Sequence, residues 1–128
     1  MLTIAPLYAG LIALVFLWLS ARVIRRRLEA HVSVGDADDR DLKKRMRVQA
    51  NCAEYAPLAL ILLAMAEMQG APGWVVHLLG AMLLAGRLAH GIGMGRTPQI
   101  PLLRTVGVVL TFTMMAATAL ANIGHALF

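Results

Sequence analysis

Arg47, Asn51 and Glu54 are spaced so that a helix carries all three on one face, with Leu58 next in line. They open an apolar run, with Arg45, Gln49, Tyr55 and Pro57 around them. A cation, an amide and a carboxylate in one stripe, beside a phenol, match a ligand that has both carboxylates and an amine. A simpler reading is that Glu54 pairs with one arginine to set helix register, but the stripe holds more polar groups than one ion pair requires. A carboxylate one to two turns inside an apolar span costs roughly a few kcal/mol if it faces lipid. Glu54 is therefore expected to face the bundle or a polar cavity, with Arg87 and Arg104 as available partners from the same end.

The elements that must position this stripe are legible from composition. The chain is 59% hydrophobic and 15% charged, with mean hydropathy +0.71; soluble domains carry about 25% charged residues. Its 128 residues suffice for one domain. Four apolar stretches reach the ~20 residues of a spanning helix, or nearly so: about 4–21, 48–68, 74–89 and 102–126. The expected fold is an all-α, integral membrane four-helix bundle forming a single domain. Residues of about 22–47 make the one long polar loop, with an acidic turn at 35–39 and helical extensions flanking it. Gln69 to Gly73 is a tight uncharged turn, and Trp74 is an interfacial aromatic. Ala81, Ala85 and Gly86 suit close helix packing in the third span. Gly91 to Pro101 is expected to be a flexible Gly/Pro-rich connection. Its Gly91–Arg96 segment has the look of a phosphate loop, but it follows a helix where that motif needs a strand.

All 12 Lys and Arg residues fall between the first and second spans or around the connection between the third and fourth. The positive-inside rule makes that side cytoplasmic and both termini external. The first span has its basic cluster, Arg22 to Arg27, after the apolar run, so it is expected to remain as a span and not to be cleaved as a leader. A net charge of +5 could suit nucleic acid, but the basic residues form two short collars and only 5% of residues are aromatic, too few for stacking platforms. Cys52 is expected to be a small buried hydrophobe. The four histidines lack metal-ligand spacing, so no metal is expected. Glu67 and Asn122 are expected at the outer interface, and the eight methionines in lipid or as core filler.

The segment Arg47-Val-Gln-Ala-Asn51-Cys-Ala-Glu54-Tyr55-Ala-Pro57-Leu, opening the second of four spans, resembles the MAPEG family (membrane-associated proteins in eicosanoid and glutathione metabolism). A looser likeness lies at Ala85 to His90, with Arg87 at a family arginine position. The resemblance is to the cysteinyl-leukotriene synthase and microsomal glutathione transferase branch and its small bacterial relatives. It implies a homotrimer in a bacterial inner membrane, with glutathione bound between subunits at the cytoplasmic side and both termini periplasmic. By position, Arg47, Asn51, Glu54, Tyr55 and Arg87 would contact the tripeptide, Glu54 meeting the glutamyl amine and arginines the carboxylates. A lipophilic small molecule or lipid would be the second partner.

Conjugation also needs a cation that lowers the thiol pKa from ~8.5. In conjugating relatives an arginine near the start of the fourth span has this role. Here Pro101 occupies that place, and Arg104, one turn later, is the candidate; Arg27 is more simply an anchor of the first span. His90 and Met94 stand where relatives such as the leukotriene synthase have tyrosines. The function that follows is a glutathione transferase or peroxidase acting on lipophilic electrophiles. The alternative is a non-catalytic lipid-binding or scaffold member of the same family. A four-span multidrug transporter would need a carboxylate in the first span, which has none.

Overall fold

A computed structural model describes all of residues 1–128 and consists of four helices: α1 (Ala5–Ala30), α2 (Arg40–Met68), α3 (Gly73–Gly95) and α4 (Pro101–Leu127). At 1.5 Å per residue they measure about 35–44 Å, longer than the ~30 Å hydrocarbon core. Each contains a window apolar enough to cross a membrane. The protein is thus an all-α membrane bundle. α1 packs on α2 and α3, and α4 packs on α3 and α2, so the central α2–α3 pair separates the first helix from the last.

The core follows from residues three or four apart turning to one side. Tyr8, Ile12, Val15 and Leu19 of α1 meet Cys52, Ala56, Ala59 and Leu63 of α2, with Val76, Leu79 and Leu83 of α3 and Met114 of α4. Large apolar side chains such as Leu14, Leu17, Leu58, Ile61 and Leu120 stay exposed around the bundle, as a lipid-facing surface requires. Pro6 and Pro101 sit in the first turns of α1 and α4, where a missing N–H costs nothing.

The closest helix approach runs along α3 and α4, through glycines. A Cβ added at Gly107 would lie 2.5 Å from the His90 backbone nitrogen and 2.6 Å from the Gly86 carbonyl oxygen; one at Gly93 would lie 2.5 Å from the Arg104 nitrogen. Gly86 and Gly93 of α3 and Gly107 of α4 thus let two backbones touch. Of the three small residues expected to make this seam, only Gly86 does, while Ala81 and Ala85 are exposed. The expected flexible connection at 91–101 is also corrected. α3 continues through Gly95, because Gly91, Gly93 and Gly95 are buried against neighbouring helices and that packing outweighs glycine's low helix propensity. The true connection is residues 96–100.

The polar stretch at 22–47 is mostly helix, and only residues 31–39 lie outside α1 and α2. Basic side chains at this end tie helix ends together. Arg22 donates to the Gly95 carbonyl at 3.1 Å, Arg45 to the Arg22 carbonyl at 3.0 Å, and Lys44 to the Arg96 carbonyl at 3.1 Å and to the Thr97 hydroxyl. Asp39 caps α2, accepting from the Leu42 N–H at 2.7 Å, and also binds Arg26 with both oxygens. The Arg26 guanidinium, then the Leu42 amide, hold the Asp39 carboxyl at a pKa of about 2. A depressed carboxyl pKa stabilises the fold fully above the ordinary value near 4 and loses that contribution as pH falls from about 4 toward about 2. In a carbon-13 titration of the detergent-solubilised protein, the Asp39 carboxyl is expected to show its midpoint near the lower figure. A midpoint near 4 would mean that the Arg26–Asp39 clasp does not form.

At the opposite end Glu67 is not a simple interfacial residue. Its carboxylate crosses to α1 and accepts from the backbone N–H groups of Thr3, Ile4 and Ala5 at 2.7–2.8 Å, and from the Thr3 hydroxyl at 3.1 Å. The start of α1 has no side-chain cap of its own, so a distant carboxylate supplies it and meets the positive end of the helix dipole. Glu67→Ala is expected to cost about 1 kcal/mol, as loss of a cap does. It should lower the apparent melting temperature and expose the Thr3–Ala5 amides to hydrogen exchange. Unchanged exchange at those amides would refute the role.

Candidate functional site

Helical winding of α2 does place Arg47, Asn51 and Glu54 along one face. The Arg47 guanidinium and the Glu54 carboxylate form a two-pronged pair, seven residues apart, with N···O distances of 3.0 and 3.2 Å. Their side chains are 55% and 47% exposed, so both charges lie open on the surface of the bundle. None of the four recesses of the bundle is lined by either.

Arg87 comes from α3 and behaves differently. It is 2% exposed and does not reach Glu54. It donates Nη1–H to the Asn51 amide oxygen at 2.6 Å and Nε–H to the Thr111 hydroxyl at 3.1 Å. The Thr111 hydroxyl in turn donates a hydrogen bond to the Gly107 carbonyl at 2.9 Å. No carboxylate faces Arg87, since every ion pair in the chain involves other residues. A guanidinium is weakly hydrated and tolerates burial when its donors are satisfied by neutral acceptors. One consequence falls on Asn51. With its carbonyl oxygen held by Arg87, its amide nitrogen is left to donate outward, beside the Arg47–Glu54 pair. Arg87 therefore acts on this face through Asn51.

Tyr55 is half-buried, its ring tilted against Phe112 of α4 at 5.2 Å between centroids. Arg104 is exposed on α4, in a shallow cleft of about 320 Å³ shared with Pro101, Thr105, Val108 and Val109. Arg47, Arg87 and Arg104 all lie near enough to His90 for their charges to act on it. Of these three arginines only Arg47 has a carboxylate partner, Glu54, while Arg87 and Arg104 form no ion pair. Cys52 is buried in the core with no thiol or disulfide partner. No three of His, Cys, Asp and Glu converge on a common point.

Sequence reasoning missed Thr111. Its signal was available: Gly107, Thr111, Met114, Thr118 and Asn122 recur at helical spacing and form the buried stripe of α4. Polar residues on the inner face of a charge-free span mark contacts to another helix, and Thr111 meets Arg87 while Asn122 meets the Leu62 carbonyl.

The model of the MAPEG family matches residues 5–124. The chain belongs to the MAPEG family. It is 36% identical over 122 residues to the inner membrane protein YecN of Escherichia coli K12, covering 95% of this chain and 92% of that one, and equally to YecN of Escherichia coli O6:H1. With four membrane-crossing helices and such relatives, it is an integral protein of the inner membrane.

Proposed function

We propose that this protein binds glutathione on the α2 face at the basic end of the bundle, and that the site is completed by neighbouring copies in a homotrimer. The observation that carries the reading is the open Arg47–Glu54 pair. Two charges half-exposed on a membrane helix are costly against lipid, and no recess of the single subunit encloses them. Another subunit and a polar ligand would cover both. The glutamyl end of glutathione is a zwitterion with an ammonium and a carboxylate. Inserted between Arg47 and Glu54, it exchanges one ion pair for two, with the Asn51 amide donating to a carboxylate. Tyr55 borders the same face. The concentration of Lys and Arg at this end supports a cytoplasmic location, where glutathione is abundant, with both termini on the periplasmic side.

The chemistry this arrangement supports is conjugation. Arg104, exposed at the start of α4, would face the thiol from a neighbouring subunit and stabilise its anion. The thiol proton passes to water, and the thiolate sulfur forms a bond to an electrophilic carbon of a lipophilic substrate arriving through the bilayer, expelling a leaving group or adding across a polarised double bond. Glutathione titration of the purified protein, followed by thiolate absorbance in the ultraviolet, tests the whole reading. Saturable binding with a thiolate signal that Arg104→Ala removes without weakening binding more than about threefold supports a transferase. Binding with no thiolate signal identifies the non-catalytic reading, which the absence of any arginine at position 101 favours. No binding refutes the site.

A further inference from the structure

Leu14, Trp18 and Arg22 follow one another at helical spacing on one face of α1, apolar, aromatic and cationic in turn. Leu14 is 65% and Trp18 42% exposed, so this strip is open to lipid, and Arg22 stands one turn beyond Trp18, where the apolar run ends. The Arg22 guanidinium lies over the Trp18 ring, 5.4 Å from its centroid. Glycines of α3 close one side of the strip. A Cβ at Gly91 would lie 3.5 Å from the Trp18 ring, and one at Gly95 would lie 2.6 Å from the Arg22 guanidinium.

Three cations gather at the head of this seam. Arg22 donates to the Gly95 carbonyl and Lys44 to the Arg96 carbonyl, each at 3.1 Å, which brings both side chains to the C-terminus of α3 beside the exposed Arg96. None of the three takes part in an ion pair. Asp41, the acid whose charge reaches Arg22, is held by Arg45 at 2.9 Å and faces Arg26 at 3.7 Å. The end of α3 does not supply the missing negative charge. Its last carbonyls are occupied by Arg22 and Lys44, and a helix dipole amounts to about half a charge against three. A guanidinium has five N–H donors and an ammonium three, so each side chain keeps donors to spare.

A cluster of unpaired cations at the end of an apolar, lipid-facing strip selects an amphiphile whose acidic head adjoins its chains. A phosphodiester supplies that head, while the ammonium of a zwitterionic headgroup would find no free carboxylate here. We infer that the basic end of the α1–α3 seam seats one anionic phospholipid, its phosphate on Arg22, Lys44 and Arg96 and an acyl chain along Trp18 and Leu14. The seat uses none of Arg47, Asn51 and Glu54, so it stands or falls apart from the glutathione reading.

The test is native mass spectrometry of the delipidated full-length protein given equal amounts of phosphatidylglycerol and phosphatidylcholine. At least about tenfold preference for the anionic lipid is expected, and Arg22→Gln should reduce it about fivefold, the effect of one basic residue beside anionic lipid. Lys43→Gln removes the same charge from a side chain that pairs with Asp36 in the α1–α2 connection, and should leave the preference unchanged. Should Arg22→Gln fail to fold, Arg96→Gln is expected to give the same fivefold reduction. Resistance of the bound lipid to millimolar glycerol phosphate would support a lipid seat; its release would show that the cluster reads a free phosphate and would overturn the inference. Equal retention of the two lipids, or equal losses in the Arg22 and Lys43 variants, would also overturn it, the latter by showing a diffuse basic collar in place of a seat.

Discussion

Glu54→Ala is expected to weaken glutathione binding about a hundredfold while leaving the folded bundle intact. The carboxylate pairs only with Arg47, on a half-exposed face, and contributes nothing to the core, so its loss should hardly affect stability; exposed pairs contribute at most about 1 kcal/mol. Its role toward a bound glutamyl ammonium is different, since a charge-assisted hydrogen bond in a covered site contributes about 1.5–3 kcal/mol. Removing it also leaves Arg47 with no anion to orient it before the ligand arrives. Isothermal titration of wild type, Glu54→Ala and Glu67→Ala separates the outcomes. Glu67 is the carboxylate at the far end, so its variant should bind glutathione normally despite its lower melting temperature. Affinity unchanged in a well-folded Glu54→Ala would show that the ligand, if bound, sits elsewhere.

Gly107→Val should be strongly disruptive. Even a single Cβ there would meet the His90 nitrogen, the Gly86 carbonyl and the His90 Cβ at 2.5, 2.6 and 2.8 Å. Two of these neighbours are backbone atoms, which cannot rotate away as a side-chain tip does, so α3 and α4 must separate. Overpacking of a core typically costs about 1–3 kcal/mol, and a collision with the backbone of the partner helix belongs at or above the top of that range. The damage reaches the candidate site, because the Gly107 carbonyl holds Thr111, Thr111 holds Arg87, and Arg87 holds Asn51. Expected results are aggregation or loss of the single species on gel filtration, and loss of glutathione binding in whatever remains soluble. Gly10→Ala is the matched control: nothing lies within 4 Å of a Cβ at Gly10, and the variant should behave as wild type. A well-folded Gly107→Val would refute the close α3–α4 contact.

The four spans and the polar stripe were legible in the residues because each depends on one helix alone. Hydropathy is additive along a segment, so a run such as 4–21 declares itself whatever it packs against. Helical periodicity likewise put Arg47, Asn51 and Glu54 on one face, and the structure keeps them there. Cys52 as a small buried hydrophobe follows from the same reasoning and is 2% exposed.

Partnerships were not legible. Arg87 and Arg104 both looked available to Glu54, yet Arg87 reaches Asn51 and Thr111 while Glu54 turns back to Arg47 on its own helix. Which donor meets which acceptor depends on the depth and rotation of α3 against α2, and no property of either segment contains that information. Glu67 shows the same limit: a carboxylate near a span end reads as an interfacial anchor until α1 is seen to begin beside it, with three amides unpaired. The run from Gly91 to Gly95 reads as a flexible connection because glycine lowers helix propensity locally, and it is helical because close contact with neighbouring helices outweighs that propensity. Membrane span, face and charge sidedness are sums over single residues and survive without a fold; caps, seams and the hydrogen bonds of Arg87 are pair terms, which exist only once the helices have chosen their neighbours.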